Sequence, residues 1–295
     1  MTIIQLKPKK DESLLRFHPW VFSGAINKIL LDPHYPFDAP QEGDLVCVKS
    51  AEGKIMGVGH YQIGSIAVRM LEFFVSELPE NFWEQRITSA YNLRESVGLV
   101  SSENNTYRLI HGEGDFLPGL VIDVYANTAV IQAHSIGMHL QRLQIAEAVI
   151  KVVPGVENVY YKSDDTLPFK ATIEGDRVGY LIQTQTAMPD EFWAKENDLY
   201  FRIDWLKGQK TGFFVDQREN RALLERYARG RDVLNMFCYS GGFSVYALRG
   251  GAHLVHSVDV SEKAIALVKD NVHYNFPTLT NHEAYAQEAF SFMSN

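Results

Sequence analysis

Cysteine is scarce in this chain of 295 residues, and long apolar runs are missing from it. The two cysteines, Cys47 and Cys238, lie far apart and form no metal-ligand cluster. No apolar run approaches the roughly 18 residues that a membrane span needs. The N-terminus lacks the apolar core of a signal peptide, because Ile3-Ile4 is followed at once by a charged stretch from Lys7. The sequence therefore predicts a cytoplasmic protein with no metal site and no membrane partner.

Basic residues are also in deficit, since 28 lysines and arginines face 36 acidic residues and the net charge is −8. Such a balance counts against a protein that coats nucleic acid with its whole surface. Residues 1–30 are an exception, because five basic residues there face only Asp11 and Glu12, a net charge of +3. This segment either contacts phosphate groups or is a solvated, lysine-rich N-terminus, and charge alone leaves both open.

The composition, with 46% hydrophobic and 22% charged residues, allows sizeable cores. Short strands at 45–48, 55–59 and 66–71, separated by glycine-containing turns, favour a small β-barrel. A helical segment covers 77–99, and mixed strands and helices follow up to about residue 188. We predict an α/β fold plus a β-barrel, in three domains: a barrel at 1–75, a central α+β domain at 76–192, and a cofactor domain at 193–295.

The most informative segment is a strand followed by a glycine loop. The apolar run 233–236 leads into the loop 238–243, which contains Gly241, and a helix-compatible segment follows. A second apolar strand, 254–258, ends in Asp259, eighteen residues after Gly241. Glycine permits close backbone approach, a helix N-terminus offers free N–H groups, and an acid after the second strand can accept hydrogen bonds from ribose hydroxyls. The pair predicts an adenosine-containing cofactor.

S-adenosylmethionine fits this loop better than NAD does. The dinucleotide fingerprint G-x-G-x-x-G has three glycines, and the first and third are missing here. S-adenosylmethionine has no pyrophosphate, so a single close approach is sufficient and bulky Phe237 and Tyr239 are tolerated. The alternative is a strand-turn-helix without a ligand, in which Asp259 caps the helix that starts near Ser261.

Four segments, in this order, resemble one family. They are Arg16–Ala25 (RFHPWVFSGA), Arg108–Asp123 (RLIHGEGDFLPGLVID), Gly208–Arg221 (GQKTGFFVDQRENR) and the loop Asn235–Phe243 (NMFCYSGGF). Together they resemble the PUA-domain-containing, class I, S-adenosylmethionine-dependent methyltransferases that make 5-methylcytosine in 23S ribosomal RNA. The resemblance implies a PUA-like RNA-binding barrel, an incomplete Rossmann-like doubly wound methyltransferase domain, ribosomal RNA as partner, and a homodimer as one option.

The resemblance also implies positions for the cofactor. Phe214 and Gln217 would contact its methionine part, Asp259 the ribose, and Glu288, after a third strand at 284–287, the adenine amino group. The remaining candidates shape the pocket from the loop: Asn235, Phe237, Tyr239, Ser240 and Gly241. Glu288 has the alternative of being a solvated surface glutamate.

The segment around Phe214 also has a purely structural interpretation. Residues 213–215 are predicted to form a short apolar strand, Asp216 and Glu219 a capping box for the next helix, and Gly230 its end. Arg218 and Arg221 reach RNA phosphate or, on the interpretation that we favour, lie on a solvated helix face.

In the N-terminal segment, Lys9, Lys10, Arg16 and His18 are the candidates for RNA contact. Trp20 and Phe22 are predicted to point into the barrel core. In the central segment Asp115 lies among turn residues, which favours a structural role over one in a substrate cleft.

The catalytic end of the family is missing from these 295 residues. The family carries an Asp-Pro-Pro motif on a fourth strand and a nucleophilic cysteine beyond it, and neither occurs here. Cys47 and Cys238 are interpreted as packed residues, so we predict no catalytic residue in this chain, a nucleophile beyond Asn295, and a truncated form of a longer protein. The alternative function is a non-catalytic RNA-binding module.

Overall fold

The computed structural model describes residues 1–168, 175–184 and 191–294. These form two compact units. The first comprises Met1–Val97, Arg108–Asp123 and, within the described residues, Asn127–Thr184. The second comprises Gly98–Tyr107, Val124–Ala126 and the described residues from 191 onward. The predicted domain boundaries at residues 75 and 192 stay predictions.

A curled six-stranded sheet opens the first unit. Its strands are β1 (Ile3–Leu6), β2 (Trp20–Phe22), β3 (Ile26–Leu30), β4 (Leu45–Lys49), β5 (Ile55–Tyr61) and β6 (Ile66–Phe73), in the order β2-β6-β5-β4-β1-β3. One face of each strand supplies the core, which includes Ile4, Val46 and Met70. Gly59 lies where β5 bulges against β6, and an added Cβ would stand 2.3 Å from the Arg69 carbonyl oxygen. The three strands predicted in this segment are confirmed.

β2 has the opposite orientation to the one predicted. Val21 is buried in the core, whereas Trp20 is half-buried and the Phe22 side chain is 49% exposed. The prediction that Trp20 and Phe22 point inward was wrong. Strand alternation is present, but all three residues are apolar, so no polar residue marks the outer face.

A five-stranded sheet with helices follows. Its elements are α1 (Phe82–Ser96), β7 (Thr106–His111), β8 (Leu120–Tyr125), β9 (Thr128–Ala133), α2 (Ile136–Leu140), α3 (Arg142–Val152), β10 (Asn158–Lys162) and β11 (Val178–Ile182), with strand order β11-β10-β9-β8-β7. Asp115 is buried and accepts hydrogen bonds from the Arg94 guanidinium and the His111 N–H, which supports the structural interpretation.

One buried histidine of the first unit has no hydrogen-bond partner among the described residues. Both ring nitrogens of His60, on β5, are unpartnered there. The ring packs against α2 so tightly that a Cβ on Gly137 would stand 2.2 Å from it. Burial, reinforced by the charge of Arg69, lowers the pKa of His60 to about 4, so the ring is neutral at neutral pH.

The second unit contains a hairpin and a parallel sheet. The hairpin is β12 (Trp193–Glu196) with β13 (Leu199–Arg202); the later elements are α4 (Arg218–Ala228), β14 (Asp232–Met236), α5 (Gly242–Arg249), β15 (Leu254–Asp259), α6 (Glu262–Asn275), β16 (His282–Ala286) and α7 (Ala289–Met293). β14, β15 and β16 pair in parallel in that order. This alternation of strand and helix is Rossmann-like, as predicted.

Residues 213–221 differ from the prediction. Phe213 and Phe214 form no strand, and Val215–Gln217 is a 3₁₀ turn. α4 starts at Arg218 with Gln217 at its N-cap and no capping side chain, so the predicted capping box was wrong. The predicted end of the helix is confirmed, since Gly230 has a φ of +67° two residues after Ala228.

Within the described ranges, none of the helices combines the length and apolarity needed to cross a bilayer. The same ranges contain no cluster of three or more histidine, cysteine, aspartate or glutamate residues suited to a metal ion.

Candidate cofactor site

The loop between β14 and α5 has an unusual backbone. Phe237, Tyr239 and Gly241 have φ values of +56°, +46° and +74°. A positive φ is ordinary for glycine but uncommon for an aromatic residue, so the surrounding structure must hold it in place. The Tyr239 hydroxyl does so by donating to the Gly212 carbonyl oxygen at 3.1 Å and accepting from the Gln209 N–H at 3.1 Å.

Asp259, at the end of β15, is bound directly to this loop. One carboxylate oxygen accepts the Tyr239 N–H at 3.0 Å, and the other accepts the Ser261 N–H at 3.0 Å. The side chain that caps α6 is that of Ser261, which accepts from the Ala264 N–H. Asp259 is therefore not the helix cap, and the structure brings the loop and the acid together at the carboxyl ends of two adjacent strands.

Gly241 has a steric reason to be glycine besides its φ. An added Cβ would stand 2.9 Å from Val268 of α6, so the close approach that glycine permits here is between the loop and a neighbouring helix. Ser240 is fixed from the same helix, because the Asn271 amide donates to its carbonyl oxygen at 2.7 Å.

Phe214 and Gln217 lie on the segment that precedes α4. The Phe214 ring meets the Tyr239 ring edge-to-face with centroids 5.5 Å apart, so this segment adjoins the loop. The Gln217 side-chain oxygen accepts a hydrogen bond from the Asn220 amide at 2.9 Å. Gln217 is half-buried at the start of α4.

A buried ion cluster supports that segment from beneath, and it corrects the sequence analysis. Arg221 donates to both carboxylate oxygens of Glu196, at 2.9 and 2.8 Å, and to the Phe214 carbonyl oxygen at 3.0 Å. The Arg218 guanidinium lies 3.5 Å from Glu196, and Tyr246 donates to Glu196 at 2.9 Å. The prediction that Arg218 and Arg221 lie on a solvated face was wrong. Their partner is on β12, a strand that no local pattern links to α4.

A second polar chain crosses the parallel sheet. The Asn235 amide donates to Ser244 at 2.9 Å, the Ser244 and Ser257 hydroxyls are 2.6 Å apart, and Ser257 lies 2.9 Å from the His282 Nε2. Burial lowers the pKa of His282 to about 4, so the neutral ring takes part. The Asn235 side chain therefore joins β14 to α5, and of these four residues only Asn235 was predicted, as a residue that shapes the cofactor pocket.

Three exposed apolar side chains stand at the carboxyl edge of the sheet. Phe237 follows β14, Val260 follows β15 and Phe290 follows β16, and they are 72%, 74% and 68% exposed. Large apolar side chains held in water after three adjacent strands suggest a surface that a ligand covers. Val260 and Phe290 were missed in the sequence, although Val260, as an apolar residue directly after a strand end where turns are usually polar, gives a usable signal.

Glu288 lies at the same edge. It is exposed, and its carboxylate accepts the Ser291 N–H at 2.8 Å as the N-cap of α7. Hydrogen bonds from the backbone of Ser291 and Phe290 lower the pKa of Glu288, so the side chain is ionised at neutral pH. Glu288 therefore has a structural role as the cap of α7, and its carboxylate is still accessible to solvent.

The two cysteines are packed side chains. Burial, with the nearby charge of Asp259, raises the pKa of Cys238 to about 12, and burial also raises that of Cys47. Both are therefore thiols at neutral pH.

The residues predicted to contact RNA, Lys9, Lys10, Arg16 and His18, all lie exposed on the first unit.

The second unit fits a nucleoside cofactor. A half-exposed carboxylate, a glycine loop bound to it and exposed apolar side chains occur together at one sheet edge, with no triple-glycine phosphate loop. Models of two protein families match the chain: a PUA-like domain over residues 4–73 and an S-adenosylmethionine-dependent methyltransferase over residues 181–293. The protein is therefore an S-adenosylmethionine-dependent methyltransferase with a PUA-like domain, and S-adenosylmethionine is its cofactor.

Curated relatives identify the family. The chain is 35% identical over 292 residues to ribosomal RNA large subunit methyltransferase I of Pseudoalteromonas translucida, covering 98% of this chain and 71% of the relative. It is 37% identical over 295 residues to the protein of that name from Tolumonas auensis, with 99% and 71% coverage. The chain belongs to the ribosomal RNA large subunit methyltransferase I family.

Solved structures agree on the fold. A candidate S-adenosylmethionine-dependent methyltransferase from Streptococcus mutans superposes with a TM-score of 0.79 at 23% identity, covering all of this chain and 73% of the other. A candidate methyltransferase complexed with S-adenosylhomocysteine gives 0.80 at 23% identity, with 100% and 72% coverage. At this identity the likeness concerns the fold alone, and it confirms the predicted fold class.

Proposed function

We propose that this protein methylates C5 of a cytosine in 23S ribosomal RNA. The relatives' names specify ribosomal RNA of the large subunit, and the four segments noted in the sequence resemble the enzymes that make 5-methylcytosine there. The observation that supports the proposal is the hydrogen bond from the Tyr239 N–H to Asp259, because it brings the glycine loop and the acid together in a chain of this family.

The cofactor supplies an electrophilic methyl group on a sulfonium centre. Asp259 accepts hydrogen bonds from the ribose hydroxyls, since each carboxylate oxygen has a second lone pair besides the one used by Tyr239 or Ser261. The exposed apolar side chains of the sheet edge would hold the adenine, and Glu288 would accept a hydrogen bond from its amino group. Phe214 and Gln217 contact the methionine part, and Ser240 and Gly241 shape the loop. Asn235 acts from below by holding β14 to α5.

Carbon 5 of cytosine is a weak nucleophile until a thiolate adds to C6. Cys238 and Cys47 are buried, protonated thiols, so we propose that neither is this nucleophile. The same observation favours a second candidate function for these 295 residues by themselves, which is binding of RNA without methyl transfer.

RNA recognition is assigned to the PUA-like domain. Lys9, Lys10 and Arg16 would contact phosphate groups, with His18 beside them, while the target base leaves its stack to reach the cofactor. The cytoplasm is the proposed compartment. The homodimer that the family resemblance raises can be tested by sedimentation, where a single species of 33.5 kDa would exclude it.

Calorimetric titration with S-adenosylhomocysteine tests the cofactor site. Asp259→Asn should weaken binding about 10-fold or more, because a hydrogen bond to a charged group contributes about 1.5–3 kcal/mol. Asp232→Asn is the matched control, since Asp232 is an exposed acid at the opposite edge of the same sheet. Equal affinities of the wild type and Asp259→Asn would contradict the assigned role.

Transfer of a labelled methyl group to large-subunit RNA that lacks the modification tests the substrate. Bisulfite sequencing then shows whether the product is 5-methylcytosine. A methyl group on another atom would contradict the cytosine C5 assignment. Cofactor and RNA binding without transfer would favour the second candidate function for this chain.

A further inference from the structure

A cavity of about 330 Å³ opens on the surface of the PUA-like domain. Its lining includes the buried apolar residues Leu14 and Val21 and the more exposed Trp20, Phe22 and Lys10. The aromatic side chains that were expected in the core thus line a surface recess. None of the described residues that line it is a carboxylate.

Two of the lining residues, Trp20 and Phe22, form an aromatic cluster with the neighbouring His18, and we call these three residues the aromatic rim. The His18 and Trp20 ring centroids are 5.6 Å apart, those of Trp20 and Phe22 6.3 Å, and those of His18 and Phe22 6.4 Å. The rim is oriented from within the same unit, because the Trp20 indole N–H donates to the Glu113 carboxylate at 2.9 Å. The rings therefore keep defined positions while Phe22 remains half exposed.

The charge of the segment around the cavity is opposite in sign to the net charge of the chain. The chain has a net charge of −8, yet residues 1–30 carry +3. Lys10 lines the cavity, and Lys7 is held beside it by donating to the Gly24 carbonyl oxygen at 2.8 Å. The site thus combines aromatic rings, with Trp20 nearly perpendicular to Phe22, and the cationic side chains of Lys10 and Lys7.

We propose that this cavity binds one unstacked nucleotide of single-stranded RNA, with the base stacked on the exposed Phe22 ring, its edge towards Trp20, and a phosphate near Lys10. A base offers a flat face for stacking and is linked to an anionic phosphate, and this combination matches the aromatic rings and the lysines of the site. The inference rests on the proposed RNA substrate and assigns part of its recognition to residues outside the basic set of Lys9, Lys10, Arg16 and His18.

The stacking half is tested with Phe22→Ala against Phe37→Ala in the 295-residue chain. Phe37 is also an exposed phenylalanine of the first unit, at 55%, and does not line the cavity. The probe is a fluorescently labelled, unstructured RNA of about a dozen nucleotides. Phe22→Ala should weaken binding about 5- to 150-fold, since stacking of one base contributes about 1–3 kcal/mol, and Phe37→Ala should not weaken it. An RNA of the same length with abasic riboses should not distinguish Phe22→Ala from the wild type.

The phosphate half is tested with Lys10→Ala against Lys54→Ala, because Lys54 is an exposed lysine at another turn of the same sheet. The slope of log K against log salt should become shallower by about 0.7 for Lys10→Ala, which is the value of one phosphate contact on a single strand. Phe22→Ala should leave that slope unchanged. Thermal melting of each variant checks that the fold is kept.

The outcomes separate this inference from the function on which it rests. If the wild type binds RNA and Phe22→Ala behaves like Phe37→Ala, the nucleotide cavity is wrong and the proposed function stands. If Phe22→Ala weakens binding of duplex and single-stranded RNA equally, the site does not select an unstacked base. If the wild type binds no RNA at all while it binds S-adenosylhomocysteine, the proposed RNA substrate fails together with the cavity.

Discussion

Replacing Glu196 with glutamine tests the buried ion cluster that supports the segment with Phe214 and Gln217 before α4. Glu196 is completely buried and Arg221 is 2% exposed, so the substitution removes one charge while two buried guanidinium groups, those of Arg218 and Arg221, keep theirs. Breaking a buried ion pair by neutralising one partner costs about 3–5 kcal/mol, because the remaining charge stays out of water. We expect the free energy of unfolding of Glu196→Gln to fall by about that amount.

The chain contains a matched control. Glu225 also binds an arginine through both carboxylate oxygens, at 2.8 and 2.7 Å from Arg249, but this pair is partly exposed. Exposed pairs contribute about 0–1 kcal/mol, so Glu225→Gln should change stability by about 1 kcal/mol at most.

Urea unfolding followed by circular dichroism measures both variants against the wild type. With a denaturant slope of about 1–3 kcal/mol/M, the midpoint of the second unit should move by about 1 M or more for Glu196→Gln. Since Phe214 is proposed to contact the cofactor and Arg221 holds its carbonyl oxygen, Glu196→Gln should also bind S-adenosylhomocysteine more weakly. Equal midpoints for Glu196→Gln and Glu225→Gln would refute the expected loss of stability.

Two further predictions concern the buried histidine and the glycine loop. The pKa of His60 is about 4 in the folded protein and about 6.5 in the unfolded chain. The free energy of unfolding should therefore fall by about 3 kcal/mol as the pH drops from 6.5 to 4. In His60→Leu this part of the pH dependence should be absent. Gly241→Ala should lower the melting temperature more than Gly251→Ala, since both have positive φ but only the first brings a Cβ within 2.9 Å of another side chain, that of Val268. A smaller effect at Gly241 would show that the contact with α6 relaxes freely.

The strand-loop-helix order of the second unit could be predicted because its signals are local. The apolar runs at 233–236 and 254–258 end at turn residues, and they became β14 and β15. The association of Gly241 with Asp259 also followed from spacing, since parallel neighbouring strands end at the same sheet edge.

Features that depend on distant partners could not be predicted. Arg218 and Arg221 have the pattern of a solvated helix face, and only the folded hairpin places Glu196 beneath them. Phe213 and Phe214 look like strand residues, yet the 3₁₀ turn that follows leaves them outside any sheet. In β2 the predicted alternation of inward and outward side chains was correct. Which of the two faces points inward depends on the neighbours that Val21 contacts, and these are distant in the sequence.

The left-handed backbone of Phe237 has a consequence for engineering. Holding a bulky residue at positive φ costs about 1–3 kcal/mol, and its 72% exposed ring recovers little of that in the free protein. Glycine at this position would remove the strain, so Phe237→Gly should appear among heat-resistant variants in an unbiased screen. The same change would remove an apolar surface from the cofactor edge. Selection for thermostability alone would therefore favour the loss of a side chain that the proposed cofactor site uses.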